Sequence, residues 1–223
     1  MANWLIAVRH GESTANAAFA RGDSMEGVRD ADVGLTDRGR RQAARLAGAL
    51  LALGGNPPRT VLCSPYERAR QTLDVLVDVH AAAGYPLPPA WYEPGLRDRG
   101  TGDLELLTPQ AVRERFPQES ARREREGECA YRPPGGGESL EDVVRRVRSV
   151  LDGFGIVGEG GDGAAGGPWL LVAHDAVVLA LRHLLGPPLP EGAFVANGSF
   201  ARWRNSASGW QLADWNRTPP VVR

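Results

Sequence analysis

The 223 residues, 42% hydrophobic and 24% charged, are enough for one substantial hydrophobic core, so a single soluble domain is expected. A formal net charge of -1 gives no global attraction to nucleic acid or to anionic membranes, and no apolar run approaches the roughly 20 residues needed to span a bilayer. The chain contains no lysine, so all 26 basic residues are arginine, which excludes chemistry built on a P-loop, Schiff-base or pyridoxal-phosphate lysine.

The first predicted element is a buried strand over residues 4–8, which runs directly into Arg9-His10-Gly11-Glu12-Ser13 and a helical pattern. Thr36 reads as the N-cap of a helix over 37–53, closed by Gly54-Gly55. Thr60 to Cys63 reads as a second strand. Ser64-Pro65-Tyr66-Glu67 then reads as a helix start, with Ser64 as N-cap and Glu67 completing a capping box. Residues 109–128 are charged and poor in apolar side chains, which predicts helix in pieces, serving as a cap rather than core. Ser139 and Asp142 form another box, ahead of Val143, Val144, Val147, Val150 and Leu151 at helical spacing. Residues 153–168 are glycine-rich and read as a surface loop. A third strand, 169–173, meets His174-Asp175 and an apolar helix over 177–185 that Gly186-Pro187-Pro188 stops. Two final strands are expected at 195–204 and 209–215.

Continuous apolar strands alternating with helices predict a mostly parallel sheet covered on both faces, a three-layer α/β/α sandwich. In that architecture the carboxyl ends of the strands share one edge, where ligands bind. His10, Arg68 and His174, distant in sequence, are therefore expected to meet there. Arginine donates paired charge-assisted hydrogen bonds to phosphate, and histidine can attack a phosphoryl group and hold it covalently. Arg9, Arg68 and a protonated His174 would supply positive charge around the nucleophile His10, with no metal or cofactor required.

These residues fall into motifs that resemble the histidine phosphatase superfamily, also called phosphoglycerate mutase-like. Arg9-His10-Gly11-Glu12-Ser13 with Asn16 resembles its RHG motif. Leu35-Thr36-Asp37-Arg38-Gly39 with Gln42-Ala43 and Ser64 to Thr72 resemble its next two. Pro134-Gly135-Gly136-Gly137-Glu138-Ser139 resembles a fourth with one extra glycine, and His174 takes the second histidine position. The resemblance spans residues 4–204. It implies that His10 is the phosphorylated nucleophile, that Arg9, Arg68 and His174 bind the phosphate, and that Asn16 lies beside them. The family's acid is usually a glutamate. Leu96-Arg97-Asp98-Arg99-Gly100 stands at the matching place, so Asp98 is taken as proton donor, with Glu93 and Glu105 as alternatives. A phosphate-rich pocket is expected to raise the Asp98 pKa. Asp175 follows His174 where many members have glycine; it reads as a helix-start carboxylate that also bears on the phosphate pocket.

One domain, 1–223, with a cap-like insertion around 94–137, is thus expected to hydrolyse a small phosphorylated metabolite. A cofactor-dependent phosphoglycerate mutase is the enzymatic alternative, and a non-catalytic phosphate-binding module the alternative of another class. His80 and His183 read as structural. Two cysteines, Cys63 and Cys129, make no disulfide framework, and the N-terminus lacks a signal-peptide pattern, so a cytoplasmic protein is expected. No nucleic-acid or membrane partner is expected; a homodimer is compatible with the reading.

Overall fold

The computed structural model describes residues 3–54, 57–157, 167–188 and 193–220. Its centre is a six-stranded sheet with spatial order β3-β2-β4-β1-β5-β6. The strands are β1 Asn3–Arg9, β2 Thr60–Cys63, β3 Ala90–Tyr92, β4 Trp169–Ala173, β5 Phe200–Ser206 and β6 Gly209–Arg217. Strands β3, β2, β4 and β1 run parallel, while β5 and β6 form an antiparallel hairpin on the β1 side. The helices are α1 Thr14–Ala20, α2 Asp37–Ala52, α3 Glu67–Ala82, α4 Pro109–Arg115, α5 Pro117–Glu126, α6 Leu140–Gly153 and α7 Asp175–Leu185.

Alternation along the strands divides the core between the two faces of the sheet. Val8, Val61, Cys63, Leu170 and Val172 pack with Leu46, Leu73 and Leu76 of α2 and α3. Leu5, Ala7, Leu62, Leu171 and Ala173 pack with Val143, Val147, Val177 and Leu181 of α6 and α7. The expected three layers are present. Fully burying one such leucine or valine contributes about 1.5–3 kcal/mol, so each helix is held chiefly by its apolar stripe.

The caps at Thr36 and Ser139 form as expected: Thr36 Oγ1 accepts from Gly39 N at 3.0 Å, and Ser139 and Asp142 make a reciprocal box. The Ser64 cap does not form. Helix α3 starts at Glu67 with Tyr66 as N-cap and no side-chain cap bond; Ser64 lies two residues ahead of that cap, where its Oγ accepts from Tyr66 N at 3.3 Å and lies 2.8 Å from His174 Nε2, and Glu67 is paired with Gln71. The fourth predicted strand is also shorter than expected, starting at Phe200. Asn197-Gly198 makes a turn with Gly198 at φ +66°, and this turn folds back to donate from Gly198 N to the His10 carbonyl. Between β3 and α6 lie two single 3-10 turns, at Pro94–Leu96 and Gly102–Leu104, and then the charged α4 and α5. Most of the predicted 153–168 loop, residues 158–166, lies outside the described residues. Among the described residues, no helix is long and apolar enough to cross a membrane.

Candidate active site

Strands β1 and β4 are paired in parallel with Arg9 opposite Ala173, so the next residues, His10 and His174, leave the same sheet edge side by side. Their ring centroids are 5.1 Å apart. The backbone there is held tightly: His10 N donates to the Ala173 carbonyl and Arg9 N to the Ser199 carbonyl, both at 3.0 Å. After His10 the chain passes close to the start of α2. A Cβ on Gly11 would run into the Gly39 carbonyl oxygen, and one on Gly39 into the Glu12 carbonyl, so both motif glycines are required by close approach. Gln42 Oε1 accepts from Glu12 N at 2.7 Å, and Arg38 pairs with Glu12 at 3.1 Å. The second motif thus braces the first.

His10 is buried. Its Nδ1 lies 2.7 Å from the Gly11 carbonyl oxygen, which can only accept, so Nδ1 carries the proton. Nε2 therefore keeps its lone pair and faces Arg68 Nε at 3.2 Å. Burial, reinforced by the charges of His174, Arg68 and Arg9, outweighs the Gly11 bond and holds the His10 pKa well below the usual histidine value. A neutral imidazole becomes a competent nucleophile once Arg68 turns from its Nε2 lone pair to a phosphoryl oxygen.

Arg68 sits in the first turn of α3 and is also buried. Its guanidinium pairs with Asp98 Oδ2 at 2.8 Å and Asp30 Oδ1 at 3.0 Å, and donates to the Asp30 carbonyl at 2.6 Å. Asp98 Oδ2 is also 3.3 Å from His174 Nδ1. Burial alone would raise the Asp98 pKa, but His174 and Arg68 outweigh it and hold the carboxyl well below the usual carboxylate range. The raised pKa expected from sequence is therefore not a property of the free protein, because Arg68 turns toward Asp98. His174 has its pKa lowered, since its burial outweighs attraction to Asp98; the imidazolium expected from sequence is likewise disfavoured here. Its Nε2 is 2.8 Å from Ser64 Oγ. Arg9 lies at the end of β1 with Nη2 3.4 Å from Asp175 Oδ2 and Nη1 donating to the Val195 carbonyl. The Nε of Arg9 is buried and has no hydrogen-bond partner among the described residues.

His10, Asp98 and His174 also bring three potential metal-ligand atoms within 4.8 Å of one another. Arg68 donates to two of them. A guanidinium at that point repels a second cation, so the donor set suits an anion better.

The model of the histidine phosphatase superfamily (branch 1) matches residues 5–218. The chain belongs to this superfamily. A 2,3-bisphosphoglycerate-dependent phosphoglycerate mutase from Bradyrhizobium sp. (strain BTAi1) is 30% identical over 193 residues, covering 84% of this chain and 83% of that protein. The solved structure of mycobacterial hydrolase 1 superposes with a TM-score of 0.76 at 27% identity, covering 98% of this chain and all of the other. That of mycobacterial glucosyl-3-phosphoglycerate phosphatase with VO3 gives 0.72 at 27% identity, covering 97% and 100%.

In this chain the remaining expected residues take different places. Asn16 Oδ1 accepts from Ser13 N, Ser13 Oγ and Asn197 Nδ2, so it caps α1 and links it to the His10 turn. Asp175 opens α7 and pairs with Arg9. Glu93 Oε1 accepts from Gly95 N, and Glu105 is exposed; Asp98 is the one of the three that reaches the cluster. His80 is buried and bonded to the Leu76 carbonyl, within its own helix.

Several contributors were not singled out from sequence. Asp30 lies in a polar 3-10 turn, Asp30–Asp32, with no pattern to mark it. Thr72 Oγ1 accepts from Gly11 N at 3.2 Å, and Asn197 Nδ2 donates to the His10 carbonyl at 3.3 Å. Glu138, quoted within a motif but given no role, holds the Asp98 loop. Its carboxylate accepts from Gly100 N at 3.0 Å and pairs with Arg97 at 2.5 Å and Arg146 at 2.9 Å. Arg146 in turn donates to the carbonyls of Gly95 and Asp98 at 2.7 and 3.0 Å.

Proposed function

We propose that this chain is a phosphomonoester hydrolase working through a phosphohistidine. The carrying observation is the orientation of His10: Nδ1 is engaged by the Gly11 carbonyl, and Nε2 points at Arg68 beside His174 and Asp98. His10 Nε2 attacks phosphorus and the ester P–O bond breaks. The departing oxygen takes a proton from Asp98, and Arg9, Arg68 and His174 balance the phosphoryl charge. Water then attacks phosphorus, its proton returns to Asp98, and the P–N bond breaks to release phosphate.

Asp98 must be protonated for the first step. Binding a phosphoryl dianion draws Arg68 away from Asp98 and puts like charge beside it, which raises its pKa in the complex. Residues 94–137 act as a cap, delivering Asp98 and enclosing the leaving group. A mutase is the second reading, favoured by the Bradyrhizobium relative. Against it stands the Leu96 to Gly102 segment, which departs from the LNERHYG-like entry of the well-recognised mutases.

The test is phosphate release from a panel of phosphorylated metabolites, with His10→Ala as control. Wild type trapped during turnover should carry acid-labile, base-stable phosphate, and His10→Ala should carry none and be inactive. Wild-type turnover by His10→Ala would remove the nucleophile. Phosphoryl transfer to phosphoglycerate faster than release to water would favour the mutase.

A further inference from the structure

A cavity of about 310 Å³ opens beside the cluster, with Asp98 in its wall. Its apolar surface comes from Phe19, Leu104, Leu106, Leu107, Leu140 and Leu179. The charged groups in the wall are four carboxylates, Asp30, Asp98, Glu128 and Asp175, and a single cation among the described residues, Arg99. Each nitrogen of that arginine already has a protein partner. Nη1 pairs with Glu128 at 2.9 Å, Nε donates to the Glu138 carbonyl at 2.7 Å, and Nη2 to the Tyr131 carbonyl at 2.8 Å.

The charge of this wall depends on whether phosphate is bound. In the free protein Asp30 and Asp98 are paired with Arg68, and Asp175 with Arg9. Those are the two arginines on which a phosphoryl group would draw. When it does so, three carboxylates share their partners with the ligand, and the wall facing the leaving group becomes more negative. A second anion placed there meets these carboxylates with no unpaired cation among the described residues lining the cavity to offset them, and the apolar part of the wall screens the repulsion less than open water would. An uncharged apolar body instead gains the burial energy of the leucine surface, about 25 cal/mol per Å².

We propose that this cavity receives the alcohol portion of the substrate and selects a phosphomonoester whose alcohol is uncharged and largely apolar next to the ester. The inference rests on the phosphatase reading for the position of the phosphoryl group. It deepens that reading by naming the substrate class: esters with a carboxylate or second phosphate near the scissile bond are rejected. Phosphoglycerates belong to the rejected class. A second cavity of about 480 Å³ shares Arg99, Thr101, Leu104, Leu107 and Glu128 with the first and adds Arg113 and Arg123 with Glu119 and Glu124, so its wall charges balance and it extends the site without adding a net cation.

The test compares 3-carbamoylbenzyl phosphate with 3-carboxybenzyl phosphate, which match in shape and differ by one charge. Their phosphonate counterparts, with a methylene in place of the ester oxygen, give binding without turnover. The amide should exceed the carboxylate about tenfold or more in kcat/KM, and its phosphonate should bind tighter by a similar factor, the equivalent of one 1.4 kcal/mol step. Leu179→Arg, which puts a cation on the wall, should narrow or invert both ratios. Equal or inverted preference in the wild-type phosphonates would overturn the proposal. Preserved phosphonate preference with no hydrolysis of either ester would leave the cavity assignment standing and remove the phosphatase reading instead.

Discussion

Arg68, which is buried, forms an ion pair at 3.0 Å with the half-buried Asp30, so the arginine best placed to bind a phosphoryl group is already held by a carboxylate. Anion binding must compete with that pair. The backbone carbonyl of Asp30 also accepts from Arg68, so the guanidinium stays anchored when the side-chain charge is removed. Asp30→Asn should therefore tighten inhibition by orthovanadate about three- to tenfold, the scale of one charge-assisted contact. Weaker vanadate inhibition with a normal melting temperature would mean that Asp30 positions Arg68 rather than competing for it.

Asp98 is predicted to act through its proton. Loss of a general acid costs about 10² to 10⁴ in rate when the leaving group needs protonation. Asp98→Asn should lose that much on an alkyl phosphate and far less on 4-nitrophenyl phosphate, whose phenolate departs unaided. A uniform loss on both substrates would assign Asp98 to holding Arg68 and His174 in place.

Anion binding should also carry protons into the site. The pKa values of His10, His174 and Asp98 all lie below their ordinary values in the free protein. A bound dianion favours the protonated form of each, so all three shift upward on binding. Proton uptake means that affinity rises as pH falls. Sulfate, which does not titrate in this range, should bind more tightly at about pH 5.5 than at about pH 7.5 in calorimetry. Asp98→Asn should show a shallower slope. A pH-independent affinity in the wild type would contradict the shared rise.

Catalysis should survive chelation. Arg68 donates to both His10 and Asp98, leaving an electropositive cluster where a metal would have to sit. Dialysis against EDTA should leave kcat/KM unchanged, and added magnesium or zinc should not raise it. Activity lost on chelation and restored by either ion would overturn the metal-free mechanism.

Glu138 is predicted to act at a distance from the reacting atoms. It ties Gly100, Arg97 and Arg146 around the Asp98 loop. Glu138→Gln should lower stability by about 1–3 kcal/mol, since Arg146 loses a mostly buried partner. The Glu138 pKa is held below 4.5: burial would raise it, but Arg146, the Gly100 amide and Arg97 prevail. Its contribution is thus complete above pH 4.5 and lost as pH falls further. The variant's melting temperature should accordingly fall less steeply with acid than that of the wild type. Its kcat should drop more on alkyl than on activated aryl phosphates, since the loop carries the acid.

What could be read before the structure was known follows a physical division. Each buried strand advertises itself by an unbroken apolar run, and the residue at its end inherits a position, so His10 and His174 were legible together. Arg68 followed from its place after a second strand. Strand β3 was not legible, because it is three residues long and both Trp91 and Tyr92 are exposed. Asp30 and Asn197 lie in irregular chain, where neither periodicity nor capping fixes a neighbour. Ser64 misled because serine before a proline and a glutamate is a sound cap signal. The helix begins two residues later, and the hydroxyl is shared between Tyr66 N and His174, 110 residues away. Protonation states were illegible for the same reason, being set by partners from distant segments.

The spacing of the two histidines follows from the hydrogen-bonded register of β1 with β4. Neighbouring strands lie about 4.8 Å apart in any sheet, and the imidazole centroids lie 5.1 Å apart. The spacing of the two positions is thus inherited from backbone geometry common to all sheets, while the Gly11 carbonyl and Ser64 Oγ orient the rings. The lobe between β3 and α6 can change its leucines, its arginines or its length without altering that gauge. Such an arrangement lets a lineage trade one substrate for another by redrafting the lobe alone, while the reactive pair keeps its calibration.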